Sequence, residues 1–462
     1  MQQLLGFIFG IIMARLLVPE YFGLVAMITV FSAVANALQN SGFSTALINE
    51  KEQKDSNYNA VFWFNIGMGV AIYIILFFCA PLIANYYDEP RLVWLCRYAF
   101  LSFVFSSWGV AQAAYLYKNL RAKQLAKANI IAVLLSSSIA VIMAWQGFTY
   151  WAIATQTNLF ILISTLLRWH YSEWRPVLSV NFDFIRRAFP FSIKILLSEI
   201  FTQVNNNVMN ILLGRYFGST STGQYYQAYQ WNFKGYSLVQ NMVKQVDQAV
   251  LVSLSDERER QLAVLRKMIR FTAFISFPLL FGVGLVAKEF IVLALGEIWL
   301  TSAEYLQIIC IAGAVIPIST LLADLIISKG RSDIFMWCTL ILGVCQITAL
   351  VLLHSYGIRI MVYAYVALTL IWVFVWHSFA RQQTGYTLLM LLKDTIPFAL
   401  AAVAVMVLTG FATQTLSVLW LKLLCRVILA AILYYALMRL AGAQILRECQ
   451  QFFMNKLKNH QI

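Results

Sequence analysis

About fourteen apolar runs, most of them near 20 residues long and separated by short connectors, leave this chain few folds to choose from. They lie near residues 2 to 18, 21 to 42, 59 to 86, 92 to 117, 128 to 146, 149 to 168, 188 to 213, 223 to 250, 268 to 296, 302 to 328, 335 to 354, 359 to 380, 396 to 411 and 418 to 440. A run of that length crosses the roughly 30 Å hydrocarbon core as a helix, the form in which each backbone amide finds its partner inside the run. The chain is therefore read as an all-α polytopic membrane protein. Its composition agrees, with 61% hydrophobic and 12% charged residues, where a soluble domain carries about 25% charged. Turns such as "WQGFTYW" (145 to 151) and "HSYGIRI" (354 to 360) rely on glycine for the reversal and leave no room for a soluble catalytic unit. The opening "MQQLLGFIFGIIMARLL" lacks a basic lead and a small-x-small cleavage site, so it reads as a first span rather than a signal peptide. It is short for a span, which points to a natural start upstream of Met1.

A net charge of +14 would suit a nucleic-acid partner, but the basic residues sit in connectors and form no stripe interleaved with exposed aromatics. Nucleic acid is excluded, and the charge is read as topology. Lys51 and Lys54, then Lys118, Arg121, Lys123 and Lys127, then Arg168, Arg175, Arg186 and Arg187, then Arg258, Arg260, Arg266, Lys267 and Arg270 all fall in connectors on one side. Lys329, Arg331, Arg381, Lys393, Arg447, Lys456 and Lys458 continue that side, which the positive-inside rule makes cytoplasmic, with both termini. The seven cysteines form no CxxC and the four histidines never pair at ligand spacing, so neither a metal site nor a cofactor is expected.

The chain repeats itself. "ARLLVPEYFG" (14 to 23) is echoed by "GRYFGSTSTG" (214 to 223), which matches Arg15 with Arg215 and Gly23 with Gly223. Further on, "GFTYWAIA" (147 to 154) pairs with "GIRIMVYA" (357 to 364), and "YLYKNLR" (115 to 121) with "LIISKGR" (325 to 331). Six spans per half, an even number, make two parallel lobes related by an axis along the membrane normal. The expected division is a lobe at 1 to 175, a second at 183 to 385, two more helices at 390 to 442 and a cytoplasmic amphipathic tail at 443 to 462. Arg15 and Arg215 each end the first helix of a half, where a cation complements the helix C-terminus. Direct substrate contact by Arg15 is the competing reading.

Two spans are too polar for lipid alone. On the eighth, Gln227, Gln230, Lys234, Ser237, Asn241, Lys244 and Gln248 recur in steps of three and four and so share one helix face. Lys234 lies eleven residues inside Gly223, near the midplane, where an unsupported lysine costs about 2.5–3.5 kcal/mol. The seventh span answers with Glu199, Gln203, Asn206 and Asn210, flanked by Asn205 and Asn207, with Lys194 nearer the cytoplasm. A weaker stripe, Thr29, Ser32, Asn36 and Gln39, runs along the second span. A shared hydrated cavity is expected to hold Lys234. For Lys194, Lys244 and the amides, interhelical polar contacts worth about 0.6–2 kcal/mol each are the other reading. Asp324 is open between pairing with Lys329 and coupling to an ion. The aromatic residues Tyr225, Tyr226, Tyr229, Trp231 and Tyr236 are open between an interfacial belt and a surface for sugar rings.

"ARLLVPEYFGLVAM", "SGFSTALINEK", "YWAIA" after a glycine turn, "LLGRYFGSTSTGQYYQAY" and "LGEIWLTSAEYLQIICIAGAVIPISTLLADLIISKGRSD" together resemble the polysaccharide exporter branch of the multidrug/oligosaccharidyl-lipid/polysaccharide flippase superfamily, nearest the Wzx-type and teichuronic-acid-type exporters. The resemblance covers nearly the whole chain. It implies an alternating-access transporter with a MATE-like fold, two six-helix lobes and two extra helices. Its implied cargo is undecaprenyl-pyrophosphate-linked oligosaccharide, carried across the bacterial inner membrane for lipopolysaccharide, capsule or exopolysaccharide assembly. It also implies membrane lipid around the protein, a polysaccharide polymerase and assembly machinery beside it, and H+ or Na+ as an unassigned coupling ion. Cationic cavity residues of the family engage pyrophosphate, a role that Lys234, Lys194 and Lys244 fit by chemistry and depth. Where many relatives carry an acid in the seventh span this chain has Asn205, Asn206 and Asn207, and its first helix lacks the usual basic lead-in.

A multidrug or cation antiporter of the same superfamily would place carboxylates in the cavity, where this chain offers lysines, amides and Glu199. A membrane glycosyltransferase or acyltransferase would need convergent carboxylates or a His-Asp pair on a large loop, and the connectors hold neither. The spans make a direct prediction. Cysteine labelling in intact cells is expected to place Lys123 and Arg260 in the cytoplasm and Gly147 and Gly357 outside; Lys123 and Gly147 on one side would undo the span count.

Overall fold

Apolar residues in unbroken runs become helices in a medium that offers the backbone no partners, and the runs of this chain do so almost throughout. The structure, a computed structural model, describes residues 2–40, 47, 54–178, 183–244, 251, 253–254, 257–448 and 451. In chain order the helices are α1 (Gln2–Leu16), α2 (Pro19–Asn40), α3 (Asp55–Tyr87), α4 (Leu92–Ala99), α5 (Leu101–Ser107), α6 (Val110–Lys118), α7 (Ala122–Trp145), α8 (Thr149–Tyr171) and α9 (Asp183–Lys244). They continue with α10 (Arg258–Ala294), α11 (Leu300–Ser328), α12 (Ser332–Leu353), α13 (Ile358–Thr384), α14 (Leu388–Ala412) and α15 (Leu419–Leu440). Among the described residues ten helices are long and apolar enough to cross a membrane, and the bent α4–α6 series makes an eleventh. The short α1 and the two stretches of α9 fill the remaining expected places, so the protein is a multi-pass, all-helical membrane protein. Of the expected tail at 443 to 462, residues 449–450 and 452–462 lie outside the described residues.

Two expected boundaries shift. The span at 92 to 117 is three short helices with a 43° bend at the start of α6. Gly109, at that bend, presses on Thr165 so closely that a Cβ would lie 2.8 Å from the threonine Oγ1. The seventh and eighth spans are one helix interrupted at Gly218, whose φ of 76° and ψ of −177° break the α conformation for a single residue. Only glycine adopts that geometry readily.

The chain forms two compact units, Met1–Tyr226 and Gln227–Ile462. In the first, Leu24, Met27, Ile83, Leu95, Phe100 and Phe103 form a buried core. A second cluster gathers Tyr58, Phe62 and Trp174 with Trp63 and Trp169 around it. There Trp63 Nε1 donates to Val177 O at 2.9 Å, and Val177 N donates to Asn59 Oδ1 at 3.0 Å, which ties down the segment after α8. Aromatic pairs of this kind add about 0.5–1.5 kcal/mol each beyond burial.

At the other end of α3 the opening motif finds its partners. Pro19 starts α2 with Glu20 in its first turn, and Arg91 donates to Glu20 at 2.6 Å and to Glu89 at 2.7 Å. Those bonds from Arg91 hold the Glu89 carboxyl below the usual carboxylate range. Arg215 donates to Tyr86 O at 2.7 Å and to Asp88 Oδ2 at 2.6 Å. Tyr87 donates its hydroxyl to Met27 O at 3.0 Å. Gly214 fits between them, since a Cβ there would lie 2.8 Å from the Tyr87 ring and 2.9 Å from Met27 Cγ.

In the second unit α10 is the hub, packed along α11, α14 and α15. Near its start Arg266 and Arg270 bind the buried Asp394 of α14 at 2.8 and 3.2 Å, and Tyr386 donates to the same carboxylate at 3.2 Å. Toward its end Glu289, also buried, meets Arg426 of α15 at 2.8 Å and Lys422 at 3.7 Å. At about 1.5 Å per residue, Arg266 and Glu289 stand roughly 34 Å apart, slightly more than the ~30 Å core. The last two helices are thus pinned to α10 by charge at both membrane borders and by apolar packing between.

The sequence repeat reappears in the backbone. Gly147 and Gly357 share φ values of 89° and 92°. Leu120 and Gly330 are both left-handed, at 54° and 74°, and Arg121 N to Leu116 O at 2.9 Å has its counterpart in Arg331 N to Ile326 O at 3.2 Å. Leu120 holds a conformation that costs a non-glycine residue about 1–2 kcal/mol. Gly23 and Gly223 touch each other directly. A Cβ on Gly23 would overlap the carbonyl of Ser219 and one on Gly223 that of Pro19, and each would lie 3.0 Å from the other glycine's nitrogen. The contact is reciprocal, as a local two-fold requires. Gly23→Ala and Gly223→Ala are each expected to lower the unfolding midpoint of the purified protein, at about 1–3 kcal/mol for overpacking. Because one separation of the helices relieves both clashes, the double variant is expected to cost clearly less than the sum. Additive or negligible effects would contradict the crossing.

Candidate functional site

The expected site residues lie on α9, the weaker stripe of Thr29, Ser32, Asn36 and Gln39 lies on α2, and Gln248 lies outside the described residues. Glu199, Gln203, Asn206 and Asn207 belong to the first unit, and Gln227, Gln230, Lys234, Asn241 and Lys244 to the second. On the first stretch a chain of hydrogen bonds follows the four-residue period: Gln203 Nε2 donates to Glu199 Oε1 at 2.6 Å, and Asn207 Nδ2 donates to Gln203 O at 2.9 Å. Asn207 and Asn210 are buried, and the Asn210 Oδ1 has no hydrogen-bond partner among the described residues. Asn206 is exposed. The side chain of Lys194 lies outside the described residues.

On the second stretch Lys234 is half-buried, with its ammonium 4.1 Å from the centre of the Trp231 ring. Trp231 is itself buried and meets Phe290 of α10 edge-on at 5.0 Å. A cation over an aromatic face gains about 0.5–2 kcal/mol, and the anchored indole fixes where that cation sits. Gln227 is buried, Gln230 half-buried, and Asn241 and Lys244 exposed. On a 100° wheel Gln230, Lys234, Ser237 and Asn241 span one narrow arc, bordered by Phe233, which is 44% exposed. Phe233 lies 6.4 Å from Tyr229 in a stacked pair and 5.4 Å from Tyr236 edge-on.

Three contacts here had no signature in the stripe. Asn232 is buried against Gly313 of α11 so tightly that any side chain at 313 would overlap its Oδ1. Gln240 Nε2 donates to Thr320 Oγ1 of α11 at 2.7 Å. In the sequence Trp231 is one of several aromatics, although its ring lies against the Lys234 ammonium. The small-residue run "AGA" (312 to 314) was the available hint for the first of these. Arg15 lies in the last turn of α1, whereas Arg215 makes its bonds to the end of α3. Among the described residues no three His, Cys, Asp or Glu gather as a metal site would require.

Elsewhere the second unit carries an apolar groove of about 530 Å³ where α10, α14 and α15 diverge, lined by Phe274, Pro278, Met406, Val427 and Tyr434 among others.

A lysine set in a polar stripe of a helix in a multi-pass bundle marks a candidate path for a substrate or an ion, as transporters provide. Residues 12–304 match the model of a family of polysaccharide biosynthesis proteins, and the chain belongs to that family. It is 24% identical over 336 residues to the lipopolysaccharide biosynthesis protein WzxC of Escherichia coli (strain K12), covering 71% of this chain and 68% of that one. Its fold is shared with the lipid II flippase MurJ in an inward closed conformation, with a TM-score of 0.71, 15% identity, and 95% and 97% of the two chains covered. An inward-facing multidrug resistance MATE transporter of the MOP superfamily also shares it, with a TM-score of 0.68, 15% identity, and 83% and 95% covered.

Proposed function

We propose that this protein is a flippase that carries lipid-linked oligosaccharide, on undecaprenyl pyrophosphate, across the bacterial inner membrane by alternating access of two lobes, 1 to 175 and 183 to 385. The observation that carries the reading is Lys234: a cation deep in a membrane helix, held by Trp231 and flanked by amides. Such a cation suits a pyrophosphate entering a low-dielectric site, where a charge-assisted bond is about twice as strong as a neutral one. By their place in the sequence, Lys194 and Lys244 are further candidate cations for the same anion. Gln203, Asn206, Asn207, Gln227, Gln230 and Asn241, with Glu199, supply the donors and acceptors that sugar hydroxyls need. The groove of α10, α14 and α15 offers apolar surface for a polyprenyl tail. Membership of a polysaccharide biosynthesis family and likeness to a lipid II flippase support the same cargo class. The lysine and arginine of the connectors support a cytoplasmic position for both termini, and a polysaccharide polymerase is the proposed neighbour on the far side.

The MATE likeness alone would equally suit a cation antiporter. Against it stands the chemistry: the acid of the first stretch's polar stripe, Glu199, already accepts the amide of Gln203, and the second stretch from Gln227 to Lys244 contributes lysines and no carboxylate.

Removing a charged hydrogen bond costs about 1.5–3 kcal/mol, so Lys234→Gln is expected to slow export roughly 10- to 100-fold. Lys234→Arg is expected to keep a substantial part. Both should reach the membrane in normal amount, because glutamine relieves a buried charge. The measurement is polysaccharide assembled per unit of membrane protein in cells lacking the parental copy; full assembly with Lys234→Gln would remove the residue from the site.

A further inference from the structure

We propose that the first unit holds one hydrocarbon chain of a membrane phospholipid in a groove between α2, α3 and the first stretch of α9, with the lipid phosphate at Arg215. The groove has a volume of about 520 Å³ and is lined by Val34 and Leu38 of α2, Ile75 and Tyr86 of α3, and Val204 and Ile211 of α9, with other apolar side chains between. Among the described residues, the only polar side-chain atoms on its walls are the hydroxyls of Tyr86 and Tyr87, and the second is already engaged by Met27 O.

Water has no reason to fill such a space, because a site holds water only where it offers polar partners. Left empty, its walls would forfeit dispersion contacts. What stands outside is hydrocarbon: Ile75 is 60% exposed, and Phe78 and Leu82 farther along α3 are about as open to the membrane. The length is informative. From Ile200 to Ile211 the α9 wall runs roughly 16 Å at about 1.5 Å per residue, which is half of the ~30 Å core. That is one leaflet deep, the depth of a phospholipid chain, whereas a long polyprenyl chain would overrun it.

The rim supplies the head-group contact. Tyr86 forms part of the groove, and its ring lies 5.6 Å from the Arg215 guanidinium. Both hydrogen bonds that Arg215 makes to Tyr86 O and Asp88 leave from Nη1, so Nε and Nη2 keep their donors for a phosphate, which the planar fork matches. Tyr216, next to it and 41% exposed, is the kind of residue that settles at a membrane border. The lipid would thus fill the space between α2, α3 and α9 just inside the place where Tyr87, Met27 and Gly214 bind them together.

The test uses the full chain in phosphatidylethanolamine and phosphatidylglycerol vesicles containing a phospholipid with a diazirine in its acyl chain. After irradiation the adducts are mapped by mass spectrometry. Labelling within 30 to 38, 72 to 76 and 200 to 211 is expected to exceed, several-fold, that at Ile428 and Ile432 of α15, which are about as exposed as Ile75. Val34→Phe should abolish the excess and leave Ile432 unchanged, Ile75→Phe should do the same if the first variant folds poorly, and Arg215→Gln should weaken it. Labelling no higher than at Ile432, or an excess that survives both filled variants, would overturn the proposal. So would displacement of the adducts by a polyprenyl phosphate at equal concentration, which would assign the groove to another lipid.

Discussion

Two helices can touch backbone to backbone only where neither carries a side chain, and α2 meets α9 in this way at Gly23 and Gly223. In a membrane the hydrophobic effect does not draw helices together, so close packing between small residues takes over the task. Here that packing fixes the geometry of the elements around it. The same end of the first unit holds Tyr87 on Met27, Gly214 between them and Arg215 on Asp88. Because each glycine faces the carbonyl four residues earlier on the other helix, the contact and the sequence repeat express one symmetry.

Charge in this protein divides by location. At the membrane borders it is paired: Asp394 with two arginines, Glu289 with Arg426, Arg91 with two glutamates. Removing one member of a buried pair costs about 3–5 kcal/mol, less where, as with Arg266 and Arg270, the partner keeps about a third of its exposure. These pairs attach α14 and α15 to α10 and explain why two helices outside the repeat stay with it. The Lys234 ammonium lies 4.1 Å from the centre of the Trp231 ring. An ammonium kept there is suited to meeting an anion that must itself leave water.

Much of the fold was legible because its signals are local. Length and hydropathy locate the spans, the glycines at 147 and 357 mark reversals that do adopt positive φ, and the three- and four-residue steps from Gln227 to Lys244 reveal a polar face. Contacts between distant positions leave no such trace. Arg266 and Asp394 lie 128 residues apart, Arg426 and Leu285 O 141, and nothing in either segment announces the other. The bend near Gly109 is equally silent in the sequence, since the residue packed against it, Thr165, belongs to another helix. For the site, composition could nominate Lys234 but could not say that Trp231 holds it or that Asn232 rests on Gly313.

That the cation, the amides and the apolar groove serve one amphiphile is tested most directly by transfer in a defined membrane. Purified protein would be reconstituted in vesicles with undecaprenyl-pyrophosphate-linked oligosaccharide in one leaflet, and appearance of the sugar in the other followed with a glycosidase that cannot cross. Transfer well above that in protein-free vesicles is expected, with no matching movement of a lipophilic cation. Transfer no faster than without protein, under an imposed H+ or Na+ gradient as well as without one, while the lipophilic cation is moved, would contradict a role in carrying lipid-linked sugar.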